Sequence, residues 1–178
     1  MSSLAAARRA LVGVAGAGAV AGAALTAYAA VEARAYTLRR VTVPVLPPGS
    51  PDLRVLHLSD VHMTPGQTRK QQWLRSLVDL QPDLVVDTGD NLAHERSVPV
   101  VLDALGDLLA VPGVFVFGSN DYFSPTLRNP VKYLLPDDGT RHTDVPQLPW
   151  RELRRELGAS GWLDLTNARG ELEGRGLR

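Results

Sequence analysis

"LRVLHLSD", residues 53 to 60, crowds apolar and branched side chains into a run too short for a helix and ends it on a serine and an aspartate. Such a run suits an inner strand of a sheet. Two more follow, "DLVVDTGD" from Asp83 to Asp90 and "GVFVFG" from Gly113 to Gly118. In the last, Val114-Phe115-Val116-Phe117 alternates as a strand does, and Gly118 ends it where the backbone turns tightly. Between the first two runs, Trp73, Leu74, Leu77 and Val78 form one apolar stripe, which predicts a helix from about Arg69 to Leu80 that Pro82 stops. Val101, Leu102, Leu105, Leu108 and Leu109 predict a second helix, with Ser97 at its N-cap and Pro99 in its first turn. Strand, helix, strand, helix, strand in this order predicts βαβ crossovers, a parallel sheet and an α/β fold.

Beyond the third run, a polar stretch with several prolines between Asp121 and Pro149 shows no period and reads as a long loop. A third helix is expected from about Trp150 to Ala159, on the stripe Trp150, Leu153 and Leu157, and "GWLDLTN" then offers another short strand. The last residues, "GELEGRGLR", alternate like the first half of a hairpin.

At 178 residues, 44% hydrophobic and 21% charged, the chain has the balance of a globular protein with one core-forming domain. Lys plus Arg equals Asp plus Glu, so the net charge is zero and no global field favours nucleic acid, which is not expected as a partner. Without cysteine there is neither a disulfide framework nor a thiolate metal site. Any metal must use His, Asp, Glu or Asn.

The N-terminus differs from the rest. A basic flank, residues 1–9, ends in Arg8-Arg9, and Ala10 to Val31 then runs for 22 residues without a charge. As a helix at ~1.5 Å per residue it would reach about 33 Å, enough to cross a hydrocarbon core. The expectation is one transmembrane helix. A cleaved signal is the alternative, since Ala27-Tyr28-Ala29 and Ala33-Arg34-Ala35 both suit a signal peptidase. Arg8-Arg9 also match the start of a twin-arginine signal, which Ala10-Leu11-Val12 fit poorly. Arginines flank both ends, so orientation is weakly specified; the reading taken is a single-pass cell-membrane protein with its catalytic part outside, or a secreted one after cleavage. Gly16, Gly18 and Gly22 imitate a dinucleotide-binding loop, but no strand precedes them and no acidic ribose ligand follows. Residues 32–52 carry Pro44, Pro47, Pro48 and Pro51 and read as a proline-rich linker to a domain over residues 53–178.

In a parallel sheet the residues just past each strand meet along one edge. Here those residues are Asp60 with His62, then Asp90, then Ser119-Asn120-Asp121. Asn and Asp after Gly are also ordinary turn formers, so the third cluster decides nothing alone. Together the three give carboxylates, an imidazole and an amide oxygen, a donor set for Mn, Fe, Zn or Mg. Asp60 and His62, two apart, can turn to one face. A carboxylate such as Asp90 can bridge two ions about 3.5–4 Å apart, an arrangement suited to displacement at phosphorus.

"LSDVH", "TGDN" and "FGSND", about 30 residues apart, resemble in order the Asp-x-His, Gly-Asp-x and Gly-Asn-His-Asp/Glu blocks of the calcineurin-like metallophosphoesterases. The resemblance looks closest to membrane-anchored actinobacterial members and runs from Leu53 to the C-terminus. It implies two divalent metal ions, with Asp60 and His62 on the first, Asp90 bridging and orienting the nucleophile, and an Asn amide on the second. It also implies an αββα sandwich of two sheets flanked by helices.

The chain departs from that pattern twice. Ser119 stands at the family's metal-binding Asn and Asn120 at its His. Asn120 is taken as the metal ligand, with Asp121 or a distant group handling the proton. The family's later His and Gly-His-x-His ligands have no counterpart, and after Asp121 the one histidine is His142. The chain is therefore expected to correspond to the N-terminal half of the sandwich, a truncated domain.

Other residues have plain readings. His57 is expected as a packed core histidine, His94 on a surface loop, and Trp73 and Trp150 in core packing. Asp87 is either a buried acceptor behind the site or a turn cap. Arg128, Lys132 and Arg141 are read as solvent-exposed. The function expected is a metal-dependent phosphoester hydrolase of the phosphodiesterase or pyrophosphatase type, acting on a membrane-proximal or lipid-linked substrate. The alternative is an inactive remnant, a membrane-anchored metal-binding or interaction module.

Overall fold

The computed structural model describes residues 2–125 and 145–172. The chain divides into two units, Met1–Pro44 and Val45–Arg178. In the first, α1 (Ser2–Glu32) is one continuous helix of 31 residues. Val20, Leu25, Tyr28 and Val31 are all exposed on it. Among the described residues no helix is long and apolar enough to cross a membrane. Side chains are described for only part of Ala10 to Val31, beginning at Gly13.

The second unit is the predicted α/β domain. Strands β1 (Val55–Leu58), β2 (Leu84–Asp87), β3 (Gly113–Phe115) and β4 (Leu163–Asp164) form one sheet in the order β1-β2-β3-β4. Every pairing is parallel. Helix α2 (Thr68–Ser76) follows β1 and tightens into a 3₁₀ turn at Leu77–Leu80. Gln81, left-handed at φ 50°, closes that turn before Pro82. Helix α3 (Val98–Leu105) follows β2 and again ends in 3₁₀ geometry, Gly106–Ala110. After β3 come the single turn α4 (Ser119–Tyr122) and then α5 (Trp150–Ala159). Both long-helix predictions are right in place, and each splits where the α-helical turns tighten.

Because consecutive strands are neighbours, α2 packs on α3 and α3 on α5, and these helices cover one face of the sheet. The burial pattern follows from this. Leu56, Leu58, Val85 and Phe115 point into the core with Leu74, Val101, Leu105, Leu153 and Leu157. Val55, His57, Leu84, Val86 and Val114, on the alternate positions, are exposed or half-buried. His57 is thus not a core histidine; it lies exposed on the face that the described helices of this unit leave open, where Nε2 meets Thr88 Oγ1 at 2.9 Å. Trp162 lies against Gly113, leaving no room for a Cβ there, and donates its indole N–H to the Val111 carbonyl.

Ser97 stands at the N-cap of α3, but its hydroxyl donates to the Met63 carbonyl and does not cap the helix. It ties the loop after β1 to the start of α3. Trp73 and Phe117 pack against the core edge, and Phe117, Tyr122 and Trp150 form an aromatic group with ring centroids 5.1–6.0 Å apart. The loop expected between Asp121 and Pro149, including Arg128, Lys132, Arg141 and His142, lies mostly outside the described residues. Of the expected hairpin strand, the described residues Gly170–Leu172 are not in a strand, and the remainder lies outside them.

Candidate metal centre

The three predicted clusters meet. At the C-terminal edge of the sheet, ligand atoms of Asp60, His62 and Asp90 all lie within 4.8 Å of one another. His62 Nε2 is 3.8 Å from Asp60 Oδ1 and 3.9 Å from Asp90 Oδ2. The Asp60 side chain is 68% exposed, that of His62 41% and that of Asp90 18%, so the cluster opens to solvent on the Asp60 side.

Unusual backbone geometry aims these side chains together. Asp60 (φ 53°), His62 (φ 42°) and Asp90 (φ 58°) are all left-handed, and only two other non-glycine described residues share that conformation. Left-handed geometry is uncommon for residues with a Cβ, and it persists where surrounding bonds fix it. Those bonds are present. Asp60 N–H donates to the Gly89 carbonyl, His62 N–H to Asp90 and Met63 N–H to Asn91, at 3.0, 2.8 and 2.7 Å. The β1–β2 pairing is thereby carried past both strand ends into the loops.

The loop after β3 approaches just as closely. Gly89 (φ 89°) has no room for a Cβ, which would fall 2.3 Å from the Gly118 nitrogen; a Cβ on Gly118 would fall 2.1 Å from Asp90 Oδ1. Only glycine permits this contact. Through it Asn120 reaches Asp90. Its main-chain N–H donates to Oδ1 at 2.9 Å and its side-chain amide to Oδ2 at 2.7 Å. Ser119, next to it, is exposed.

Asp121 sits elsewhere than sequence suggested. It is completely buried. Its Oδ1 accepts the main-chain N–H groups of Asn91 and Leu92, and its Oδ2 those of Asp90 and Gly118, over 2.7–3.0 Å. Burial pushes this carboxyl above the usual carboxylate range, while the four donors pull it back. Both oxygens face backbone, so neither is turned toward a leaving group.

Asp87, at the end of β2, is also buried, and it accepts the Gly89 N–H and the Asn91 side-chain amide. Burial raises its carboxyl to about 7, against the lowering effect of those bonds. Of its two sequence readings, buried acceptor and turn cap, both hold. His94 is half-buried and its Nδ1 accepts the Arg96 N–H, a local turn contact. Lys70, whose ammonium donates to the Val61 carbonyl, was not foreseen; it fixes the loop that carries His62, and burial lowers its pKa.

One carboxylate, one imidazole and a second carboxylate, presented by a rigid frame with an amide beside them, are hard and borderline donors suited to a divalent first-row metal or Mg. Such strand-end sites recur on unrelated chemistries. Residues 53–171 match the family model described as calcineurin-like phosphoesterase, and the chain belongs to that family. It is 34% identical over 99 residues to a cattle (Bos taurus) protein named "Transmembrane protein with metallophosphoesterase domain", covering 53% of this chain and 22% of that one. It is 33% identical over 79 residues to the Bacillus subtilis (strain 168) "Uncharacterized metallophosphoesterase YkoQ", covering 42% of this chain and 29% of that one. The matched regions thus span less than a third of either relative. No solved structure matches significantly.

Proposed function

We propose that the chain carries the metal-binding face of a phosphoester hydrolase of the phosphodiesterase or pyrophosphatase type. The observation that carries this reading is the convergence of Asp60, His62 and Asp90 within 4.8 Å at the ends of two adjacent parallel strands. In this reading Asp60, His62 and Asp90 would hold a divalent ion, and Asp90 would also serve a second. Asn120, whose side-chain amide donates to Asp90 Oδ2, would offer its amide oxygen as a further ligand. Such an ion would polarise a phosphoryl group and lower the pKa of the attacking water.

The chain's own residues supply the frame. His62 and Asp60 are held by the loop after β2, and Asp90 is held by Asn120 in front and Asp121 behind. Proton transfer to the leaving group is not assigned to Asp121, whose oxygens are occupied by main-chain donors. The test is hydrolysis of bis(p-nitrophenyl) phosphate by the full chain with Mn²⁺. Turnover lost on chelation and in Asp90→Asn supports the proposal, and chelator-resistant turnover defeats it.

A second reading, a metal-binding module without turnover, is favoured by Asn120. An amide offers no proton at neutral pH, and here it occupies the space before Asp90. Metal binding without turnover in that assay would select this reading.

Membrane attachment through α1 is part of the proposal. It is supported by the uncharged stretch Ala10 to Val31 and by the name of the cattle relative. A single-pass anchor with the domain outside fits a membrane-proximal or lipid-linked phosphoester, as membrane-anchored actinobacterial members would use; secretion after cleavage is the other outcome. Full chain that stays with membranes in a carbonate wash supports the anchor. A soluble form beginning near Ala30 or Thr37 overturns it.

A further inference from the structure

We infer that Asp121 is a positioning residue for the metal centre: its buried carboxylate holds Asp90 in the left-handed conformation that presents it to Asp60 and His62. The inference rests on the reading of those three residues as a metal site.

Three observations carry it. First, the carboxylate joins two loops that no β-ladder joins at this point. The β2–β3 pairing ends with Val116 N–H on the Asp87 carbonyl. Beyond it, the amides of Asp90, Asn91 and Leu92 after β2 and of Gly118 after β3 all converge on the two oxygens of Asp121. A single acidic side chain takes the place of the missing strand partner.

Second, one of the four donors is the amide of Asp90 itself, at 2.8 Å. With that amide fixed from the rear and the Asp90 carbonyl fixed by His62 N–H, both peptide groups flanking the Asp90 α-carbon are anchored. The φ of 58° follows from those anchors, and so does the direction of the side chain. Asn120 then receives the Asp90 carboxylate on the far side. Third, Asp121 is completely buried, so it cannot serve as a ligand or proton carrier at the open side of the cluster.

A neutral amide cannot reproduce this arrangement. In Asp121→Asn one side-chain oxygen still accepts, while the NH₂ faces two main-chain donors. Two of the four bonds must break, and the loop that carries Asp90 loosens. Groups that orient metal ligands in this way typically change metal affinity by roughly 10–100-fold.

The experiment is Mn²⁺ binding to the full chain, followed by electron paramagnetic resonance, for the wild type, Asp121→Asn and Asp121→Glu, with circular dichroism to establish that each is folded. The inference expects a folded Asp121→Asn with Mn²⁺ affinity lowered by about 10–100-fold, and partial recovery in Asp121→Glu, which keeps both acceptor oxygens. If turnover is present, the pH profile of kcat keeps its shape in Asp121→Asn, because no proton passes through this group. A folded Asp121→Asn that binds Mn²⁺ as the wild type does overturns the role of Asp121 and leaves the metal centre standing. A wild type that binds no Mn²⁺ overturns the metal centre itself. Should neither variant fold, hydrogen exchange of the wild type decides. Zn²⁺ must slow the amides of Asp90, Asn91, Leu92 and Gly118 as one group, and exchange unaffected by Zn²⁺ refutes the coupling.

Discussion

Asn120 grips Asp90 with two donors, its main-chain N–H on Oδ1 and its side-chain amide on Oδ2. In the absence of an ion this contact neutralises nothing; it only satisfies the carboxylate. Replacing Asn120 by Asp sets two like charges face to face at this partly exposed site. Asn120→Asp is expected to destabilise the metal-free chain by between about 1 and 4 kcal/mol, and Mn²⁺ is expected to restore more stability to it than to the wild type. Thermal melts with and without Mn²⁺ check both parts.

The close approach of the β2 and β3 loops makes Gly118 sensitive to any side chain. Its substitution by Ala drives a methyl into the Asp90 carboxylate, and the expected cost is about 1–3 kcal/mol together with loss of metal binding. Gly66, around which nothing lies within 4 Å of a would-be Cβ, is the control. Gly66→Ala is expected to stay within about 0.5 kcal/mol of the wild type, as a urea titration would measure.

Asp87 gives a pH signature. Burial raises its folded pKa to about 7, above the ordinary carboxylate value of 3.8, so the folded chain binds more protons than the unfolded chain between those pH values. The contribution of this group is therefore fully present below about pH 4, falls as pH rises toward 7 and is flat above it. In metal-free protein, Asp87→Asn is expected to flatten that part of the stability profile, faring better relative to the wild type at pH 8 than at pH 5. Urea melts at the two pH values measure it, and an unchanged difference contradicts it.

Much of this was legible in the sequence. The apolar runs at Leu53, Asp83 and Gly113, separated by helical stripes, specified the parallel sheet, because period and length are local properties of the chain. The meeting of Asp60, His62 and Asp90 followed from that topology. What stayed hidden depends on main-chain geometry. Asp121 looks like a reactive acid in a list of residue types, since its four partners are backbone amides, three of them about 30 residues away. The left-handed φ of Asp60 and His62 carries no glycine to announce it. His57 is misplaced because its crowded apolar run suits burial on both faces, and the described helices cover only one.

His57 therefore separates face from site. It is exposed on the face that the described helices leave open and bonded to Thr88, so His57→Ala is expected to leave Mn²⁺ affinity within about twofold of the wild type, a change of ~0.4 kcal/mol. A tenfold loss would place it in the metal centre after all.

The most direct test of the central claim is the Mn²⁺ affinity of the full chain beside that of His62→Ala. His62 Nε2 lies within 4 Å of both Asp60 and Asp90, and the side chain is half-exposed, so its removal is expected to leave the fold intact. The wild type should bind one ion at this cluster, and His62→Ala should bind it at least 10-fold more weakly, by ~1.4 kcal/mol or more, with an unchanged melting temperature in the absence of metal. Equal affinity in the two proteins would contradict the assignment of Asp60, His62 and Asp90 as the metal centre.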